Sequence, residues 1–111
     1  MEVSTKKFKH CDLVTVTGRV DSATAPRLSE VLTALNDEGC YRIVMDMAGL
    51  EYMSSAGFRA LIATQRNCKN FNRGEVVLAC IPGNILSALE LAGFTMLFKI
   101  YPDVTTAVGS L

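Results

Sequence analysis

The sequence predicts a single α/β domain: a mixed, mostly parallel β-sheet of about four to five strands with an N-terminal antiparallel hairpin, packed by about four helices. Three observations support this fold class. Nearly continuous apolar segments alternate with stretches of helical periodicity, which is typical of parallel strands joined by helical crossovers. Val- and Thr-rich runs open the chain as an antiparallel pair. A length of 111 residues, half of them hydrophobic, fits one core and not two.

The first two predicted strands form the hairpin. Val and Thr dominate Glu2–Phe8 and Asp12–Thr17, and the sequence KHCD turns the chain between them. The next residues, GRVDSATAPRL, predict a loop that ends in signals for a helix start. Ser22 and Thr24 can cap that helix, and Pro26 suits its first turn because its missing N–H would be unpaired there.

Helices and buried strands alternate through the rest of the chain. The predicted strands are Tyr41–Met47, Glu75–Ile81 and Leu97–Tyr101. Apolar residues at helical spacing predict helices over Leu28–Leu35, after Ser55, and over PGNILSALELAG with Asn84 as its cap, and a last helix begins near Asp103. Gly39 and Gly93 are placed to end two of these helices in the left-handed conformation.

Composition argues against several classes of function. Eleven basic and eleven acidic residues balance, and no block of Lys or Arg indicates a nucleic-acid or membrane partner. The apolar runs are shorter than the roughly 20 residues of a membrane span, and no secretory signal is visible, so we expect a cytoplasmic protein. Four scattered cysteines and the single His10 form no metal motif; we expect reduced thiols and no metal or cofactor.

The adjacent serines Ser54 and Ser55 are the central functional question. Serine is a favoured helix cap, which is their simplest role. A hydrolase nucleophile is disfavoured, because MSSAG lacks the first glycine of G-x-S-x-G and His10 precedes the serines instead of following them. A phosphate acceptor is the third possibility, since a helix N-terminus tolerates negative charge without unfolding.

Three segments carry a family resemblance: GRVDSATAPRL, IVMDMAGLEYMSSAGFRALI and ALELAGFTMLFKIYPD. In these residues and in their element order the chain resembles the bacterial STAS-domain anti-sigma-factor antagonists. The likeness covers nearly the whole chain, which is therefore expected to be one STAS domain spanning residues 1–111.

The resemblance implies a regulator, not an enzyme, that works by partner switching. In that family the unmodified antagonist binds an anti-sigma factor that is also an ATP-dependent serine kinase. Phosphorylation of the motif serine breaks the complex, and a serine phosphatase restores binding. By position the phosphoacceptor is Ser55, with Ser54 as second choice. Ser55 is favoured because a hydroxyl at the cap position faces outward from the helix end.

The resemblance also implies a partner-binding surface around Asp21, Ser54, Gly57 and Phe58, with Asp46 shaping the site. Met53, beside the serines, is expected to add an adaptable surface contact. From the residues alone, both aspartates can simply hold their own loops by accepting backbone N–H groups. Ser54 stands where the family commonly has Asp. This departure keeps open an alternative: a STAS domain that is not phosphorylated and acts as a scaffold or as a small-molecule or lipid sensor. We expect a monomer or a weak dimer.

Overall fold

The computed structural model describes all residues, 1–111, as six strands and four α-helices. The elements in chain order are β1 (Glu2–Lys7), β2 (Asp12–Val20), α1 (Ala25–Asp37), β3 (Arg42–Asp46), β4 (Leu50–Met53), α2 (Ser55–Lys69), β5 (Glu75–Ala79), α3 (Gly83–Leu91), β6 (Lys99–Tyr101) and α4 (Val104–Gly109). Short 3₁₀ turns at Asn70–Asn72 and Thr95–Leu97 follow α2 and α3. The α/β class, the hairpin and the four helices predicted from the sequence are confirmed.

The strands form one mixed sheet in the order β1-β2-β3-β5-β6, and β4 pairs with β2. Only the β1–β2 pair is antiparallel; every other pair is parallel. Strand β2 pairs with β3 through Asp12–Thr15 and with β4 through Gly18–Val20. One strand therefore contacts two successive neighbours along its length, and this brings the end of β4 next to the end of β2.

Helices cover both faces of the sheet. One face carries α1, α2 and α3 over a cluster of twenty buried residues that includes Leu28, Leu32, Leu61 and Leu89. The other carries α4 over a smaller cluster of five buried residues: Cys11, Val44, Val77, Ala79 and Ala107. The central strands β3 and β5 are buried on both faces, which explains their continuous apolar sequence.

The sequence missed strand β4 and the last third of β2. The segment from Gly18 to Val20 was expected to be a loop, but it continues β2 and pairs in parallel with Leu50–Met53. The pairing joins residues more than thirty positions apart, and the burial pattern of β4, with exposed residues between two buried ends, has no strand-like alternation. Neither feature can be detected as a local periodicity.

Two helix boundaries also differ from the prediction. Asn84 lies inside α3 and is not its cap, because the helix begins at Gly83 after Pro82. The Asn84 amide instead donates to the Glu51 carbonyl at 3.1 Å and ties α3 to β4. Gly39 and Gly93 end α1 and α3 with φ of 86° and 76°, as predicted.

All four cysteines are free; Cys11 and Cys68 are buried and Cys40 and Cys80 are half-buried. None of the helices combines the length and the apolar character required to span a membrane.

Candidate functional site

The two serines lie where β2 and β4 end side by side. Val20 and Met53 are register partners at the ends of these strands. The Ser54 amide donates to the Val20 carbonyl at 2.8 Å, so the start of α2 lies directly beside the turn that follows Val20. That turn contains Asp21. The structure therefore places the serine pair next to the turn that contains Asp21.

The serine side chains have opposite environments. Ser54 is the N-cap residue with extended backbone angles (φ −79°, ψ 172°), and its Oγ is fully buried without a hydrogen-bond partner. Ser55 is the first helical residue and its side chain is exposed. The cap position therefore belongs to Ser54, and the expectation that a cap hydroxyl faces outward is wrong. The accessible hydroxyl is still that of Ser55.

The N-terminus of α2 has uncompensated positive charge. Its first turn contains no acidic residue, and no side chain caps its amide groups. The Arg59 Nη1 donates to the Ser55 Oγ at 3.5 Å, one helical turn along the exposed face. This environment favours a negatively charged group on Ser55, because the amides of the first turn are uncapped, the helix dipole has its positive end there and the guanidinium is close.

Asp21 organises its own turn. Its Oδ1 accepts hydrogen bonds from the Ala23 amide and the Thr24 amide, both at 3.0 Å, and the Thr24 hydroxyl accepts from the Asp21 amide at 2.9 Å. The backbone and side-chain hydrogen bonds from Thr24 lower the pKa of the Asp21 carboxyl. Thr24 is the N-cap of α1 but makes no side-chain cap bond, so Asp21 orders this helix start.

Asp21→Ala is expected to destabilise the fold above about pH 4 and to lose that effect in acid. Because the folded pKa lies below the unfolded value of about 3.9, the stability that the carboxylate contributes is present above the unfolded pKa. It disappears as the pH falls through the folded pKa. Urea unfolding at several pH values measures the free energy of unfolding of wild type, Asp21→Ala and the uncharged Asp21→Asn. A difference between wild type and Asp21→Asn that is the same at every pH would contradict the ionic role.

Three residues predicted to contact a partner are buried. Met53 and Phe58 are about 4–5% exposed and belong to the main core cluster, so their side chains are not a docking surface in this structure. Gly57 is also buried: a Cβ at this position would lie 2.6 Å from the Met53 Cγ and 2.9 Å from the Val20 Cγ1. These predictions are corrected to a structural role, because all three pack α2 onto the ends of β2 and β4.

Asp46 has a local role. Its Oδ1 accepts the Ala48 amide at 3.1 Å in the turn after β3, which is the simpler of the two roles considered for it. Asp46 is the register partner of Ala79 at the end of β5. Burial, and then the carboxylates of Asp46 and Asp103, raise the pKa of the neighbouring Cys80 thiol. No hydrogen bond joins Asp46 to either serine.

Some exposed residues near the serines were not predicted from the sequence to lie there. Arg59 contacts Ser55, and the guanidinium of Arg19 stacks over the Tyr52 ring at 4.5 Å from its centroid. Tyr52 is 40% exposed on β4, directly before the buried Met53 and the serines. The four-residue spacing of Ser55 and Arg59 is a readable signal, whereas the Arg19–Tyr52 contact depends on the β2–β4 pairing.

The site does not contain the groups of a serine hydrolase. The one hydrogen bond of the Ser55 hydroxyl is with Arg59, which is a donor and not a base. His10 lies in the β1–β2 turn, at the opposite end of the parallel strands. A nucleophile and base therefore do not meet here.

Comparisons with known proteins agree with this architecture. The family model described as STAS domain matches residues 2–107. A candidate anti-sigma factor antagonist of Bordetella bronchiseptica, BtrV, is 30% identical over 100 residues, which span 90% of this chain and 85% of that protein. The crystal structure of an anti-sigma factor antagonist from Mycobacterium paratuberculosis superposes with a TM-score of 0.88 at 22% identity, covering 98% of this chain and 92% of that one. The phosphorylated form of Bacillus SpoIIAA matches with a TM-score of 0.77 at 11% identity, covering 98% of both chains.

Proposed function

The chain belongs to the STAS domain family, and from this premise we propose that it is an anti-sigma factor antagonist that releases its partner when Ser55 is phosphorylated. The partner is an anti-sigma factor that also acts as an ATP-dependent serine kinase. A serine phosphatase removes the phosphate and restores binding. The chain itself performs no catalysis and acts in the cytoplasm.

The exposure of Ser55 is the observation that carries this proposal. Of the two serines, only Ser55 presents its hydroxyl to solvent, whereas the Ser54 Oγ is buried. A kinase must reach the acceptor oxygen to place it in line with the γ-phosphate of ATP. The phosphoryl group then passes from ATP to the Ser55 Oγ, ADP leaves, and the hydroxyl proton goes to a base of the kinase. No step requires α2 to unfold.

The start of α2 supports a phosphate without a change of fold. The first turn of α2 has no acidic residue and no side-chain cap, and the Arg59 guanidinium contacts the Ser55 oxygen, so these groups would partly compensate the nearly two negative charges of a phosphate in the free protein. SpoIIAA in its phosphorylated form is an example of this fold in a modified state. We therefore expect the modification to alter the surface charge and not the core.

The surface that the partner covers is composed of exposed groups around Ser55. Arg59 contacts the serine, Asp21 lies in the turn beside the start of α2, and the exposed Arg19–Tyr52 pair lies near the ends of β2 and β4. Docking over this surface would remove the phosphate from water, and a buried charge without full compensation costs several kcal/mol. Steric intrusion adds to that cost. The complex therefore dissociates when Ser55 is modified.

Mapping the phosphate tests the choice of acceptor. The purified chain is incubated with its kinase partner and ATP, and peptide mass spectrometry locates the modified residue. We expect phosphate on Ser55, none on the Ser55→Ala variant, and full modification of Ser54→Ala. Phosphate found on Ser54 would identify Ser54, and not Ser55, as the acceptor. A stable complex with no phosphate at either serine would favour the alternative, an unphosphorylated scaffold or sensor of a small molecule or lipid.

A further inference from the structure

A second feature lies at the end of the sheet opposite Ser55. An open cavity of about 370 Å³ is formed where β2 and β3 begin, between the β1–β2 turn, the segment that leads into β3 and the loop before β5. Its charged lining consists of Lys7, Lys9, Arg42, Arg73 and Asp12. Four cations and one carboxylate thus share a cavity in a chain whose net charge is zero.

Most of this positive charge is not neutralised. The molecule has two ion pairs, Lys7 with Asp12 at 3.1 Å and Lys99 with Glu75 at 3.5 Å. The single carboxylate of the cavity is therefore used by Lys7, and Lys9, Arg42 and Arg73 have no carboxylate within 4.0 Å. A concave surface lined by one sign of charge concentrates the field and attracts counter-ions.

Arg73 is held rigidly by neutral groups. Its Nε donates to the Asn70 carbonyl at 3.0 Å, its Nη2 to the Asn67 carbonyl at 2.7 Å and its Nη1 to the Tyr41 hydroxyl at 2.8 Å. Its guanidinium also lies 3.9 Å from the centroid of the Tyr41 ring. The charge is fixed in place before any ligand arrives, which lowers the entropic cost of binding an anion.

We propose that this cavity is a binding site for a small phosphate-bearing anion, with Lys9, Arg42 and Arg73 supplying the uncompensated charge. A multiply charged phosphate or pyrophosphate group matches several cations better than a single carboxylate does, and guanidinium groups recognise phosphate oxygens in a bidentate manner. The site is separated from Ser55 by the length of the parallel strands. The proposal of an anion site is therefore independent of the proposed phosphorylation of Ser55.

Cys40 provides a reporter for occupancy. Its thiol lines the cavity, and the Lys7 ammonium donates to its Sγ at 3.2 Å. Cys80 is half-buried too but follows the carboxyl end of β5, at the far side of the sheet. Alkylation of the full-length chain by iodoacetamide, followed by peptide mass spectrometry, compares the two thiols in one sample.

Inorganic pyrophosphate at about five times its dissociation constant leaves about one sixth of the sites free, so it should slow Cys40 alkylation about sixfold and leave Cys80 unchanged. The double variant Lys9→Gln/Arg42→Gln should lose this protection, because both side chains are exposed and can be exchanged without disturbing the core. Arg27→Gln removes an exposed cation at the start of α1, outside the cavity, and should retain the protection.

Several outcomes would overturn the proposal. If sodium chloride at the same ionic strength protects Cys40 from alkylation equally well, the effect of pyrophosphate is charge screening and not binding. Protection that survives in the double variant would place the anion elsewhere. Vesicles with anionic lipid that protect Cys40 where pyrophosphate does not would identify a membrane surface as the ligand. Inorganic phosphate, used alongside pyrophosphate, reports whether one phosphate group is enough.

Discussion

Ser55→Asp is expected to weaken binding of the proposed anti-sigma factor partner by at least about 100-fold, equivalent to about 2.7 kcal/mol at 25 °C. Ser55 is exposed beside the Asp21 turn, so a partner docked over it would remove the new carboxylate from water. A charge buried without full compensation costs several kcal/mol. Titration calorimetry with the purified partner measures the difference between the variant and wild type.

The same substitution should leave the fold intact. No acidic residue occupies the first turn of α2, and a carboxylate there interacts favourably with the helix dipole by about 0.3–1 kcal/mol. Thermal unfolding should therefore place Ser55→Asp at or above wild type in stability. A loss of binding combined with unchanged stability would separate an altered surface from an unfolded protein.

Two variants complete this experiment. Ser55→Ala removes the acceptor hydroxyl without adding charge and should bind within about threefold of wild type. Thr33→Asp adds the same charge to an exposed position in the third turn of α1 and should also bind normally. If Ser55→Asp binds the partner as tightly as Thr33→Asp does, Ser55 has only a structural role at the start of α2. The chain is then better described as an unphosphorylated scaffold.

Gln65→Leu is expected to lower the free energy of unfolding by about 3–5 kcal/mol. Gln65 is 5% exposed and crosslinks α2 to the sheet. Its Nε2 donates to the Val76 carbonyl at 3.0 Å and the Leu97 carbonyl at 2.7 Å, and its Oε1 accepts the Val76 amide at 2.6 Å. Strand β6 pairs with β5 only from Val77 onward, so the glutamine side chain satisfies backbone groups that the edge strand does not reach.

The expected cost comes from unpaired backbone groups and not from lost volume. Leucine fills a similar space but leaves the buried amide and carbonyl of Val76 without a partner, each costing about 1–3 kcal/mol, and also removes the part-buried bond to the Leu97 carbonyl. Urea unfolding measures the change. The neighbouring Thr64→Val is the matched control: its hydroxyl donates to the Ala60 carbonyl within the same helix, and its removal should cost under about 1 kcal/mol. Equal effects of both substitutions would argue against the crosslink.

Local patterns were enough to identify most of the fold. Apolar residues repeat at helical spacing through Leu28, Leu32 and Leu35, and the structure buries all three. The continuous apolar runs of β3 and β5 indicated strands covered on both faces, which they are. These features follow from the periodicities of helices and strands, and each periodicity can be detected within a single continuous segment of sequence.

Strand β4 could not be predicted because its stability comes from a distant part of the chain. Four residues with two exposed central side chains have no intrinsic preference for a strand, and only pairing with Gly18–Val20 holds them extended. The same pairing buries Met53. A hydrophobic residue next to a motif serine looks like a contact surface in the sequence, and only the packing shows that it belongs to the core.

The sequence by itself determined the α/β class, the hairpin, the order of the four helices and of every strand except β4, and a candidate site at a serine pair before a helix. Tertiary structure decided which serine is accessible, because Ser54 and Ser55 differ only in the direction that the helix start gives their hydroxyls. It also gathered Lys9, Arg42 and Arg73 from three segments into one cavity, although no run of basic residues exists in the chain. The exposure of a side chain and the clustering of charges depend on contacts between residues that are distant in sequence, and local periodicity does not reveal these contacts.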